Sequence, residues 1–433
     1  MTKALFLIGL GAALSATPVL GQESRAPEAA AIYRAEAGRL AADPRLPAAA
    51  GHIAEQHDAR LRDLVTLTEI PAPPFGEEAR AAAYAEMLRA TGFGDVSIDD
   101  VGNVVARRPG RPGERTVMMV AHIDTVFPPE TDVTVGVDGD RYTAPGIGDN
   151  TRGAVMLLEI ASAIAAADLH TQANLLFVGN VGEEGLGDLR GVRSLLREGG
   201  DRPEAFIAID GGDDARLITG AIGSNRYRVT FHGEGGHSWG DFGAANPHHA
   251  AARAIAIFAD AALPITAEGA KSSFSVGRIG GGTSVNSIPF ESWFEVDMRS
   301  GNRDKLDALD AAFERAMHAG LRAENEARTR NAPLTVEIEP IGQRPAGEGD
   351  IEAPLVQRAI AAMRADGVEP RLESSSTDSN IAISLDIPAI TISRCGTSAR
   401  AHSLDEYWID DESVVACTQR GLRILLLEAG LAD

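Results

Sequence analysis

The chain has 433 residues, 44% hydrophobic and 24% charged, enough for two or three domains with sizeable cores at about 100–200 residues each. Its formal net charge of −22 argues against a nucleic-acid partner, whose phosphates need a basic surface, and against an anionic membrane. The two cysteines, Cys395 and Cys417, allow either one disulfide or two free thiols.

In chain order, Lys3, the apolar run 4–14 and the small residues before Gln22 read as a signal peptide over residues 1–21. The apolar run is too short to span a bilayer comfortably. The expectation is an exported protein, periplasmic or secreted, with no membrane contact after cleavage. Residues 22–47, rich in Ala, Glu and Arg, form a helical lead-in or a loose linker. Residues 59–67 read as a helix stopped by the prolines at 71, 73 and 74, and 77–90 as a helix with Gly92 just past its end. The short apolar runs 116–120, 174–181 and 205–209 read as buried parallel strands, with a helix predicted over 150–167. Strands alternating with helices predict a doubly wound α/β domain.

The texture changes near Gly220. Strand 225–232, helix 247–261, strands 274–279 and 293–298, helix 305–327 and strand 334–338 give βαββαβ, the ferredoxin-like order. After Pro345 a helix at 353–366 and a strand at 389–392 restore the first texture. The first domain is therefore expected in two pieces, 22–222 and 341–433, with an inserted lid at 223–340.

The chemistry gathers at predicted strand ends. Glu183 and Glu184 follow one buried run, His122 and Asp124 another, and Asp210 a third; Asp149 sits in a glycine-rich turn, and His402 follows the last strand. The C-terminal strand ends are where α/β sheets place their sites. Each residue has a plainer reading: a surface His-x-Asp pair, a helix cap at Asp149, a solvated acidic turn at the glutamates. Together they supply imidazole and carboxylate ligands for a divalent metal and a carboxylate to spare.

Five segments in order then carry a resemblance: AHIDTV at 121–126, GIGDNTRG at 146–153, NVGEEGLGDLRG at 180–191, GGTSVNSIP at 281–289 and AHS at 401–403. They resemble the M20 family of dinuclear zinc peptidases, which holds aminopeptidases, dipeptidases, carboxypeptidases and aminoacylases. The resemblance implies two divalent ions, zinc with cobalt or manganese as alternatives. His122 and Asp210 would hold one, Glu184 and His402 the other, and Asp149 would bridge them. Asp124 would orient His122, and Glu183 would act as general base toward water activated between the ions. It also implies a cis bond between Asp149 and Asn150. In the lid it implies that His237 stabilises the oxyanion, often across a homodimer, and that Asn286 and Arg299 hold the substrate. Residues 376–380 replace a substrate loop often written with glycines, which leaves Asp378 as a further substrate contact. Asp210, where relatives carry Asp or Glu, points to an exopeptidase of aminopeptidase or dipeptidase type acting on short peptides. A carboxypeptidase or N-acyl-amino-acid hydrolase is the rival, and a non-catalytic peptide-binding relative is a further one.

Overall fold

The computed structural model describes residues 24–113 and 115–432, so the predicted leader at 1–21 lies outside the described residues. Among the described residues the chain builds a ten-stranded mixed sheet. Its centre is four parallel strands, Asn174–Asn180, Thr116–His122, Ala205–Ile209 and Ala389–Ile392, in that spatial order. These strands are buried on both faces because their residues are apolar without alternation. Val117, Met119 and Ala121 face one core; Met118 and Val120, one residue out of phase, face the other. The first core is covered by helices Gly153–Ala166, Pro354–Ala365 and Val414–Ala429, the second by Arg190–Leu196 and Ser379–Ser384. Each fully buried Val or Met there contributes about 1.5–3 kcal/mol.

The lead-in is folded. Helices Ala31–Ala41 and Leu46–Glu55 bury Ala37, Leu40, Leu46, Ala49 and Ile53 in the first core. Cys395 and Cys417 form a disulfide joining the loop after the last parallel strand to the C-terminal helix. No helix among the described residues is long and apolar enough to cross a membrane.

A second body follows strand Arg216–Ala221. Its strands Gly223–His232, Ser272–Gly281, Glu291–Ser300 and Thr335–Arg344 lie in the order second, third, first, fourth, all antiparallel. With helices Pro247–Thr266 and Arg303–Ala327 on one face, this is the ferredoxin-like arrangement. Asn246 and Asn302 cap the two helices, accepting from the His248 and Lys305 amides at 2.9 and 3.0 Å. The first strand alternates: Tyr227, Val229 and Phe231 face the helices, Arg226 and Arg228 the other side. The chain re-enters the large sheet at Gly347–Glu348, which pairs with Gly220 and Ala221, so the insertion leaves and returns side by side.

Candidate metal centre

Parallel strands end on one edge of the sheet, and this edge carries the site. His122 is the last residue of its strand, Asp210 follows Ile209, and Glu183 and Glu184 stand three and four residues beyond Asn180. Asp149 arrives from the turn Ile147–Arg152, where the Asp149–Asn150 peptide is cis. The helix predicted from 150 starts at Gly153, and the Asp149 side chain caps nothing. Asn150 explains the delay, because its Nδ2 donates to the Ile209 carbonyl at 2.7 Å, fastening the turn to the strand that leads to Asp210.

Two sets of side chains each hold ligand atoms within 4.8 Å of one another: His122 with Asp149 and Asp210, and Asp149 with Glu184 and His402. Asp149 belongs to both, its Oδ1 3.5 Å from His122 Nε2 and its Oδ2 3.4 Å from His402 Nε2. His402 Nε2 also lies 3.1 Å from Glu184 Oε1. This donor set, with one shared carboxylate, fits two divalent ions. Glu183 groups with His122 and Glu184 as well, but its carboxylate is engaged by Arg344, Nη1 to Oε1 at 2.8 Å.

Asp124 lies beneath the glutamates. Its two oxygens accept the amides of Glu183 and Glu184 at 3.0 and 2.9 Å. Its contact to His122 differs from the expectation. The imidazole Nδ1 is 3.1 Å from the Asp124 backbone carbonyl and 3.6 Å from the carboxylate, because the carboxylate is committed to the two amides. Asp124 thus orients the ring by its main chain and the glutamate pair by its side chain.

The electrostatics are those of an anionic nest. Hydrogen bonds that His402 donates to the Asp149 and Glu184 carboxylates push its pKa up to about 10. Burial lowers the His122 imidazole, but Asp124, Asp149 and Glu183 outweigh it and hold it well above the ordinary value. Burial would raise Asp149; Arg394, at 3.1 Å, and the two histidines hold it well below the carboxylate range. Burial pushes Glu183 well up against the pull of Arg344, and the charge of Glu184 adds to the rise. Imidazoles drawn toward protonation by converging carboxylates mark a field that bound cations would balance.

The centre forms the floor of a cleft of about 490 Å³ between the sheet edge and the lid. Arg299 lines it. Asp378 does not. It is buried, takes a hydrogen bond from Asn180 Nδ2 at 2.8 Å, and leaves Ser375, Ser376 and Thr377 as the loop's lining. His237 and Asn286 are exposed on paired short lid segments, where Asn286 O accepts the Ser238 amide at 2.9 Å, and neither lines the cleft of its own chain.

Sequence reasoning missed Arg394, Glu406, Arg344, Arg216 and Arg226. Arg394 follows strand Ala389–Ile392 as Asp210 follows its own strand, so the strand-end logic extends to it. Glu406 accepts the amides of Gly146, Gly148 and Asp149 at 2.9, 2.9 and 2.6 Å. Gly146 has φ 77°, and a Cβ on Gly148 would meet Glu406 Oε1 at 2.9 Å, which accounts for the glycines of this turn.

The fold and site define a two-body α/β protein with a paired metal-ligand cluster. The family model of peptidase family M20/M25/M40 matches residues 118–426, and the chain belongs to that family. It is 29% identical over 192 residues to the uncharacterized protein YgeY of Escherichia coli K12, a match covering 41% of this chain and 44% of that protein. In fold it is similar to the aminopeptidase PepT of Bacillus cereus, with TM-score 0.68, 19% identity, and 85% and 97% of the two chains covered. It is also similar to YXEP of Bacillus subtilis, described as a dinuclear metal binding peptidase from the M20 family, with TM-score 0.61, 16% identity, and 88% and 100% covered.

Proposed function

We propose that this protein is an exported, metal-dependent exopeptidase of aminopeptidase or dipeptidase type acting on short peptides. The observation that carries the reading is Asp149 shared between two ligand sets while the Glu183 carboxylate is engaged by Arg344. His122, Asp149 and Asp210 would hold one ion, and Asp149, Glu184 and His402 the second. Zinc is the ion proposed. Such ions polarise a carbonyl oxygen and make water acidic enough to attack near neutrality.

The chain's own groups do the rest. Glu183 takes the proton from the attacking water and returns it to the leaving amine. Asp124, through two amides, fixes where both glutamates stand. Arg299 receives a substrate carboxylate, a task suited to a planar guanidinium. A cleft of about 490 Å³ suits a dipeptide or tripeptide and is small for a folded protein. His237 and Asn286, exposed on the lid, complete the cleft of a second subunit in a homodimer formed through the lid.

The test is hydrolysis of free dipeptides and tripeptides before chelation, after it, and after metal is restored. Activity should vanish and return. Glu183→Gln should lower kcat by about 10²–10⁴-fold with metal content unchanged. Loss of metal from that variant would reverse the division of labour between the two glutamates, and a metal-replete protein that cleaves no peptide would overturn the reading.

A further inference from the structure

The carboxylates and guanidiniums of the cleft are segregated. Asp149, Glu183, Glu184 and Asp210 form the floor. Arg216, Arg226, Arg299 and Arg344 line the walls above it. Three of the four come from one face of the lid sheet. Ser224 on the first lid strand pairs with Arg299 on one side and Arg344 on the other, and Arg226 is two residues further on. Residues opposite or two apart share a face, and this face is turned away from the lid helices.

Their partners are not matched one to one. Arg344 is committed to Glu183, and Arg216 donates through Nε to Glu373 at 2.6 Å. Arg226 and Arg299 share a single carboxylate: Nε of each donates to Asp297, one to either oxygen, both at 2.8 Å. Neither guanidinium makes another hydrogen bond among the described residues. Two positive charges are thus fixed in place by one negative charge. One unit of charge is left over, with the terminal nitrogens available to a ligand. When cations balance the floor, this wall is the charged feature a substrate meets.

A peptide's terminal carboxylate can occupy one of these guanidiniums. We infer that the second is for a side-chain carboxylate, so the preferred substrates are short acidic peptides carrying Asp or Glu. Arg226, with Asp297 as its anchor, is the residue that sets this preference. The inference rests on the peptidase reading for its substrate form, while its charge recognition stands separately.

The experiment has two arms on the metal-loaded protein. In the first, kcat/KM is compared for dipeptides pairing alanine with Glu, Asp, Leu or Lys in both orders. Acidic peptides should be favoured over leucine peptides by about 10- to 100-fold, the scale of one charge-assisted hydrogen-bonded pair. In Arg226→Gln, with melting temperature recorded to verify folding, that ratio should fall by about tenfold or more. Hydrolysis of acidic and leucine peptides at equal kcat/KM overturns the inference and leaves the peptidase reading standing. In the second arm, calorimetry compares glutarate with butyrate. Glutarate should bind at least about tenfold tighter, and the difference should shrink in Arg226→Gln and at high salt. Equal binding overturns the inference even if no peptide is cleaved, whereas selective glutarate binding without any hydrolysis supports it and removes the peptidase reading alone.

Discussion

Glu406 meets the Asp149 turn at its backbone, where the amides of Gly146, Gly148 and Asp149 depend on it. An ionised carboxylate accepts hydrogen bonds at both oxygens; a carboxamide accepts at one and donates at the other. Glu406→Gln therefore turns a donor toward a buried amide, at about 1–3 kcal/mol for each bond lost. The expected result is metal affinity weakened by about 10–100-fold, measured by chelator competition. Unchanged affinity would show that the turn holds its shape without this support. The proposed ligands were legible in the sequence because metal binding needs a narrow choice of side chains at strand ends. Glu406 was not, because a carboxylate that braces a turn looks like any other acidic residue until the chain is folded against it. Asp378 erred the other way: its neighbours line the cleft, but its own side chain turns to Asn180.

At the scale of elements, apolar runs gave the parallel strands well, since burial on both faces removes alternation. The start of helix Gly153–Ala166 was less legible because the Asn150 side chain competes for the first turn. The lead-in was ambiguous, since alanine-rich helices depend on what they pack against. Helix His57–Thr68, beyond the lead-in, is anchored by a side-chain pair. His57 Nε2 meets both Asp410 oxygens at 2.9 Å, tying the helix to the segment after strand Tyr407–Ile409. The hydrogen bond to Asp410 raises the His57 pKa against a lesser effect of burial. A folded-state pKa above the unfolded value of about 6.5 means that the pair stabilises fully below that pH, and the contribution fades as pH rises through the folded pKa. In chemical denaturation followed against pH, the wild type should lose this increment above about pH 6.5, and His57→Gln should lack it. Parallel curves for the two proteins would show that the pair does not couple to folding.

Across the whole molecule, the order of lid elements was readable because strand and helix periods differ. The place of His237 was not, since it stands outside the cleft of its own chain. If His237 serves a partner, Glu183→Ala and His237→Ala subunits fail for different reasons. A heterodimer of the two then pairs one intact base with one intact histidine in the same cleft. Purified heterodimers should recover up to about half the activity per dimer, since one of two clefts is whole. No recovery would place His237 outside the chemistry of a neighbouring subunit.

The insertion leaves the large sheet at Ala221 and returns at Gly347, residues paired to each other, while strand Ala205–Ile209 needs Ala389–Ile392 as its second neighbour. During synthesis the first segment emerges with that strand edge open. A lid with its own core can fold next and bring its two ends together, removing a closure entropy that grows by about 0.6 kcal/mol per doubling of loop length. His402 emerges only after the returning strand. The nascent chain therefore has His122, Asp149 and Asp210 long before the last proposed ligand, and the two halves of the centre mature at different times.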